Sequence, residues 1–412
     1  MKVFVIAFAC EPNRTSEPGV GWNIVGELAK HHDLTVLTRC NNRKDIEAHI
    51  AANPTASYGK IHWEYYDLAE WFHRLKKKLP CGIQLYQELW QRGAAKKYKD
   101  EFEKYDIVHH LTFGSIFFTP WAAKYSDKFV WGPIGGASGA MEDAFLKNES
   151  VKSRISEMFY RLVAWYSFHP APWAAGLRRK CRAILFRTSE LAAAAKLEPG
   201  QITAVIPETA YAGEVVPRQY KTDRHPLKIM SVGRLIPLKG VKYTIQAFAR
   251  FLESGGDGEL HIYGDGPLRS ELESLVTSLT TNDQRLTTNI FLHGNVPNSE
   301  ILAALDSADV LIHSSFREGG SWTILEAMAH GVPVICQDRA GMKDMVTGEC
   351  GTKVAATTPK GLVKSLVDAL IEYYQDHETI QNRGRAGQER VCSTYSWTKI
   401  CDELCGTWDS VK

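Results

Sequence analysis

The stretch Leu311–Val346, LIHSSFREGGSWTILEAMAHGVPVICQDRAGMKDMV, constrains the fold more than any other part of the chain. Asp309 to Ser315 is a mostly apolar run with the composition of a buried parallel strand, and Gly319-Gly320 breaks it sharply. A helix must then start near Ser321 and run from Trp322 to Ala329. Gly331 stands where helices commonly end, and Val332 to Cys336 resumes an apolar strand. This is a β-turn-α-β unit of the kind that builds α/β sheets covered by helices.

Two carboxylates frame the turn, Glu318 on the loop and Glu326 just over one turn inside the helix, with seven residues between them. The first helical N–H groups, around Ser321 to Thr323, lack intrahelical partners, and with the positive end of the helix dipole they suit an anion or hydroxyl oxygens. A carboxylate at Glu326 has acceptor capacity enough for a vicinal diol. A sugar nucleotide would use all of these groups. Thr323-Ile324-Leu325-Glu326 also fits the S/T-x-x-E capping box, which would make Glu326 structural, and Glu318 also reads as an ordinary loop acid.

A chain of 412 residues exceeds one ordinary core, so two domains of about 200 residues are expected. A formal net charge of +2 and the lack of any RNA- or DNA-binding signature speak against nucleic acid as a partner. The nine cysteines are scattered, with no C-x-x-C, which argues against a disulfide framework or a zinc site. Met1 to Ala9 is too short for a secretory leader and no apolar run reaches the roughly 20 residues that span a bilayer, so a cytoplasmic protein is expected.

The chain opens as strand Lys2–Ala9, a loop CEPNRTSEPGVGW with Gly19 and Gly21, a helix from about Trp22 to His31, and strand Asp33–Thr38. A glycine turn after the first strand is where such sheets take ligands, though G-x-G-x-x-G is absent. Asp106 to Leu111, DIVHHL, ends a strand with His109 and His110 on opposite faces, so one of them at most can face a cleft. Two stretches mix aromatic and basic residues: Trp71 to Lys104, with His73, Arg74, Lys76, Lys77, Lys78, Tyr86 and Trp90, and Lys152 to Arg187, with Phe159, Trp165 and Trp173. They suit peripheral contact with anionic membrane on its inner face, or else solvated helices with aromatics in a core.

Val215 to Pro226 reads as a linker. Beyond it strands and helices alternate: strand Leu227–Val232, helix Val241–Leu252, strand Glu259–Tyr263, helix Leu268–Leu279, strand Asn289–His293 and helix Ser299–Ser307. This order implies a parallel sheet with both faces covered. Gly233, Arg234 and Lys239 follow its first strand, at the edge where a parallel sheet meets ligands, and the two cations suit a diphosphate.

EGGSWTILEAMAHGVPVI resembles the E-x7-E signature of the retaining GT-B glycosyltransferases of family 4. Gly233-Arg234 through Lys239-Gly240, followed by Tyr263-Gly264-Asp265-Gly266-Pro267, resembles that family's order of motifs. The resemblance implies two Rossmann-like domains whose parallel sheets face each other across a cleft. An acceptor domain, 1–214, would be joined by a C-terminal helix, 396–412, after a kink at Tyr395-Ser396-Trp397, and a donor domain would span 227–395. It implies retaining transfer of a sugar from a nucleotide-diphosphate sugar, UDP expected over GDP, to a glycan, a glycolipid or a small-molecule acceptor. Arg234 and Lys239 would hold the diphosphate, Glu318 would lie by the donor sugar, and Glu326 would bind the ribose. Gly19 and Gly21 match the family's glycine loop near the donor phosphates, and His109 matches the first histidine of D-x-x-H-x-H, with Leu111 in place of the second. His109 and His110 both stay candidates. Gly233, Gly264, Gly294, Val296, Gly319, Gly320, Ser321, Trp322 and Thr323 complete the donor site that the resemblance implies, and the absence of D-x-D agrees with an enzyme that needs no metal ion or other cofactor. The usual E-G-F-G is here Glu318-Gly319-Gly320-Ser321, which leaves the sugar open. The alternatives are an epimerase or phosphorylase of the same architecture, or a catalytically silent sugar-nucleotide-binding scaffold.

Overall fold

The structure, a computed structural model, describes residues 1–14, 16–72, 82–147, 149–220, 226–280 and 289–412. The chain forms two compact units, one of Met1–Ala137, Leu162–Glu208 and Trp397–Lys412, the other of Ser138–Arg161 and Thr209–Ser396.

The first unit holds strands β1 (Lys2–Ala7), β2 (Asp33–Thr38), β3 (His62–Tyr65), β4 (Ile107–Thr112), β5 (Phe129–Ile134), β6 (Ala183–Phe186) and β7 (Ile202–Val205). They make one parallel sheet in the order β3-β2-β1-β4-β5-β6-β7. The second unit holds β8 (Leu227–Val232), β9 (Gly258–Tyr263), β10 (Ile290–Gly294), β11 (Val310–His313), β12 (Val334–Gln337) and β13 (Gly351–Val354), parallel in the order β10-β9-β8-β11-β12-β13. Each sheet is doubly wound. The strand order reverses between β1 and β4 in the first unit and between β8 and β11 in the second, and at such a reversal the two departing loops diverge and open a crevice.

The central helix forms as its residues require: Ser321 is its extended N-cap, Trp322–Ala329 its body, and Gly331 follows with φ 68° in the left-handed region that ends helices. The first helix departs from expectation. It runs Ser16–Leu28, so Gly19 and Gly21 lie in its opening turns, not in a loop before it. A Cβ on Gly21 would stand 2.3 Å from the Ala9 carbonyl oxygen and 2.7 Å from Thr112 Cγ2, so the missing side chain lets the helix pack directly against the ends of β1 and β4.

Residues 138–161, expected in the first domain, group with the second unit. Phe145 is buried edge-on against Phe316 (4.7 Å) and Tyr243 (5.5 Å). Three ion pairs tie the segment down: Glu149 to Lys242, both Glu157 oxygens to Arg317 Nη2 at 2.9 Å, and Glu142 to Arg339 Nη1 at 3.0 Å. The expected linker is likewise fastened where it is described. Arg218 donates to the carbonyls of Leu305 (3.1 Å) and Ala308 (2.5 Å), and Tyr220 to that of Gly331 (3.0 Å). Residues 221–225 of that linker lie outside the described residues.

The chain breaks its last long helix at Tyr395-Ser396, and helix Trp397–Val411 belongs to the first unit, with Trp408 fully buried. In the first aromatic-basic stretch Tyr86 and Trp90 face a core, whereas Trp71 is exposed. Trp90, on helix Gly82–Lys97, donates to the Tyr66 carbonyl (2.8 Å) and Tyr86 to Asp67 (2.7 Å). His73, Arg74, Lys76, Lys77 and Lys78 lie outside the described residues. Among the described residues no helix is long and apolar enough to cross a membrane.

Candidate active site

At the reversal of the second sheet, the loop after β11 is stapled to the loop after β8. Ser314 Oγ donates to the Lys239 carbonyl (2.9 Å), Ser315 Oγ to that of Leu238 (3.2 Å), and the Phe316 N–H also to Leu238 (2.8 Å). From the neighbouring strand end, Gln337 Nε2 donates to the carbonyls of Ser314 (2.7 Å) and Ser315 (3.1 Å), and the Gly341 N–H holds the Glu318 carbonyl (2.8 Å). The backbone around Glu318 is therefore fixed from three strand ends, which is what a site needs to hold a charge in one place.

The Glu318 side chain accepts from Lys239 Nζ and, at 3.2 Å, from His313 Nε2 through the same oxygen. Burial alone would push this carboxyl up. The His313 hydrogen bond and the Lys239 charge outweigh it and bring the group down to about 2, so Glu318 is ionised at every physiological pH. Lys239 retains two further N–H donors, and Arg234, two residues beyond β8, is exposed. The structure thus brings Lys239 and Glu318 together, with His313, which the sequence analysis did not single out. An in-strand histidine five residues before a glutamate carries no motif.

Glu326 lies on the fifth residue of its helix and accepts from Asn298 Nδ2 at 3.1 Å. Burial raises its pKa, against the pull of the Asn298 hydrogen bond. The helix is capped by Ser321 Oγ, which accepts from the Ile324 N–H at 3.4 Å, and the third helical residue is Ile324. A capping box through Thr323 and Glu326 is thereby excluded, because the cap sits two residues earlier than that motif requires. The Ser321 N–H points to the Met345 sulfur at 3.3 Å and the Ile324 N–H is capped, so two of the expected helix-terminal donors are taken within the protein. Gly319 is exposed and Gly320 half-buried on the approach to them.

Across the strand ends the Gly264 N–H donates to the Gly294 carbonyl (2.7 Å), and a Cβ on Gly264 (φ 127°) would stand 2.1 Å from the Gly233 oxygen. Only glycine allows β8 and β9 to end this close together. Gly294 is the last residue of β10, and Val296 packs on the core cluster that includes Ile324 and Leu325.

In the first unit the candidate residues do not gather. His109 and His110 point to opposite faces of β4, as alternation requires, but both faces are covered and both rings are buried. His109 Nε2 donates to the Gly132 carbonyl (2.6 Å), and its ring stands edge-on to Trp408 at 5.6 Å. Burial brings each imidazole down to about 4 and keeps both neutral at neutral pH. In this structure neither presents an accessible nitrogen of the kind that proton transfer to a substrate requires. What does gather at this sheet's reversal is an unforeseen triad. Arg187 donates to Glu17 Oε1 (2.8 Å), which also accepts the Phe113 N–H that follows β4, and Arg187 Nη1 meets Glu208 Oε2 at 2.5 Å. Burial and nearby Glu17 push the Glu208 carboxyl up against the pull of Arg187. The three residues are far apart in the chain, and no spacing rule links them.

Comparison with known proteins bears on both units. Residues 214–390 match the family model described as Glycosyl transferases group 1. A putative colanic acid biosynthesis glycosyltransferase, WcaL, of Salmonella typhimurium is 28% identical over 202 residues, covering 47% of this chain and 48% of that protein. A GDP-mannose-dependent alpha-mannosyltransferase of Mycolicibacterium smegmatis is 30% identical over 210 residues, covering 51% and 49%. The chain spans about half the length of the curated relatives it matches. Among solved structures, the lipopolysaccharide outer core galactosyltransferase WaaB in its apo form superposes with a TM-score of 0.62 over 100% of this chain and 99% of that one, at 17% identity. The fold of the two parallel-sheet units is GT-B.

Proposed function

We propose that this chain is a glycosyltransferase that moves a sugar, with retention of anomeric configuration, from a nucleoside-diphosphate sugar to a hydroxyl of a glycan, lipid-linked or small-molecule acceptor. The observation that carries the reading is the Lys239–Glu318–His313 cluster at the reversal between β8 and β11, with Glu326 just over one turn inside the helix that follows Glu318. In this reading Arg234 and the free donors of Lys239 take the diphosphate, Glu326 takes the ribose hydroxyls, and ionised Glu318 stands by the anomeric carbon. The bond from that carbon to the β-phosphate oxygen breaks, the bond to the acceptor oxygen forms on the same face, and the acceptor proton passes to the leaving diphosphate. Catalysis is then mainly electrostatic, with Arg234 and Lys239 doing for the leaving group what a metal ion does in other enzymes. The reading includes independence from metal ions and other cofactors.

The relatives do not favour UDP over GDP, since the mycobacterial one is GDP-mannose-dependent, so the expected preference for UDP has no support from them. Incubation with UDP- and GDP-sugars, with and without candidate acceptors and with a chelator present, tests the reading. Proton NMR of the product should show the donor's anomeric configuration. An inverted product, a product that forms without acceptor by epimerisation, or activity abolished by the chelator would each overturn part of it.

A further inference from the structure

Helix Val151–Phe168 carries an apolar face that none of the described residues covers. Val151, Ile155, Met158, Phe159, Leu162 and Trp165 are each more than half exposed, as is Tyr166. At about 100° per residue they fall within one arc of about 120°, a stripe of the width that other helices bury against a core. Here the inward face is separate. It carries Glu157 and Ser167, both buried, and Tyr160, whose hydroxyl donates to the Ser138 carbonyl at 2.7 Å.

Charge is sorted around this stripe. Lys152 and Arg154, both exposed, flank its two long edges, and Arg179 and Lys180 are exposed at the end of the following helix, Pro172–Arg179. The single acid between residues 150 and 180, Glu157, is turned inward onto Arg317, and Glu149 just before the helix is taken by Lys242. Every exposed ionised side chain of the segment is therefore a cation. Trp165 and Tyr166 sit together at one end of the stripe, rings of the type that settle between an apolar phase and water.

We propose that this helix docks flat on an anionic bilayer surface, its apolar stripe at headgroup depth and Lys152 and Arg154 on the lipid phosphates. An apolar arc edged only by cations is complementary to that surface. A second copy of the chain fits poorly, because any pairing of this face with itself sets cations against cations. The inference goes beyond the glycosyltransferase reading and does not depend on it, since docking needs neither donor nor acceptor.

Sedimentation with vesicles tests it, using phosphatidylcholine alone and phosphatidylcholine with about one third phosphatidylglycerol, at about 50 mM and about 500 mM salt. The full chain should pellet with the anionic vesicles at low salt, less at high salt, and little with neutral ones. Phe159→Ser with Trp165→Ser should weaken the partition at least about 100-fold, and Lys152→Gln with Arg154→Gln about 30-fold. All four positions are exposed, so melting temperatures should stay near wild type. No pelleting of the wild type on anionic vesicles at low salt overturns the proposal without any variant. So does pelleting that both pairs leave undiminished. A dimer in light scattering that Phe159→Ser with Trp165→Ser converts to monomer also overturns it, by assigning the face to a second copy.

Discussion

At the reversal of the second sheet, an acid, Glu318, is gripped by two bases, Lys239 and His313; at the reversal of the first, a base, Arg187, is gripped by two acids, Glu17 and Glu208. The same doubly wound design thus carries opposite charge arrangements at equivalent places. The difference teaches what each edge can receive. Two carboxyl groups on one guanidinium, one of them pushed up by burial, leave no positive charge for a phosphate and suit hydroxyl groups. The second unit, with Lys239 and exposed Arg234, has positive charge to offer a diphosphate. The sugar-nucleotide reading therefore rests on the second edge, and each test below alters one side of the contrast.

Breaking the first edge should have the largest effect. Arg187→Met leaves two half-buried carboxyl groups without their partner, and the cost should be about 2–4 kcal/mol of stability, read by thermal or urea unfolding. A loss below about 1 kcal/mol would mean that the triad is solvated and the contrast between the edges false. On the second edge, Glu318→Gln should keep nucleotide affinity within a small factor and lower turnover by about 100- to 1,000-fold, checked by steady-state and binding measurements on one preparation. Equal loss in both would place Glu318 on the nucleotide and not by the reacting carbon.

Acid should separate the units without any substitution. His109 and His110 titrate at about 4 when folded against an ordinary 6.5, so between pH 6.5 and 4 the unfolded chain binds more protons and stability falls as pH falls, by about 1.4 kcal/mol per pH unit for each histidine. Glu318 is also depressed, from 4.5 to about 2, so its contribution is whole above pH 4.5 and is lost only below that. The second unit's depressed histidines, His261 and His293, are only half-buried and exposed, respectively, so calorimetric melts from pH 7 to pH 4.5 should show the first unit weakening more steeply than the second. A second unit that weakens more steeply would contradict the assignment of these groups.

The helix Trp322–Ala329 and strands Asp33–Thr38 and Leu227–Val232 were legible because their periodicity and their caps agree. The early start of the first helix at Ser16 was not, because Pro18, Gly19 and Gly21 read as a loop and only the packing of Gly21 against Ala9 and Thr112 makes them helical. Residues 138–161 were misassigned because their attachments, Lys242, Arg317 and Arg339, lie about a hundred residues or more downstream. Alternation correctly set His109 and His110 on opposite faces. The further step was available too: a parallel sheet is covered on both faces, so a histidine within a strand is buried whichever way it points. Lys239 and Glu318, which the structure pairs, stood out because they sit on loops at strand ends. Arg187, Glu17 and Glu208 did not, since only the folded sheet brings them together.

A smaller effect is expected at Arg234. It is exposed, so Arg234→Ala should leave the fold intact and weaken UDP or GDP by about 10- to 100-fold while leaving uridine or guanosine nearly unchanged, by calorimetry. Lys239→Ala is the less clean variant, because it also removes one of the two groups that hold Glu318 ionised. Equal losses for nucleoside and diphosphate would remove Arg234 from the phosphates.

The most direct test of the donor site is at Glu326, where phosphate charge plays no part. Calorimetric titration of wild type and Glu326→Ala with UDP and GDP and with their 2′-deoxy counterparts isolates the ribose contact. The account predicts that Glu326→Ala costs the ribonucleotide about 1.5–3 kcal/mol, the worth of a charge-assisted hydrogen bond, and leaves the deoxynucleotide nearly as it was. Equal losses for the two sugars, or none for either, would contradict a ribose held by Glu326 and with it the placement of the donor at this edge.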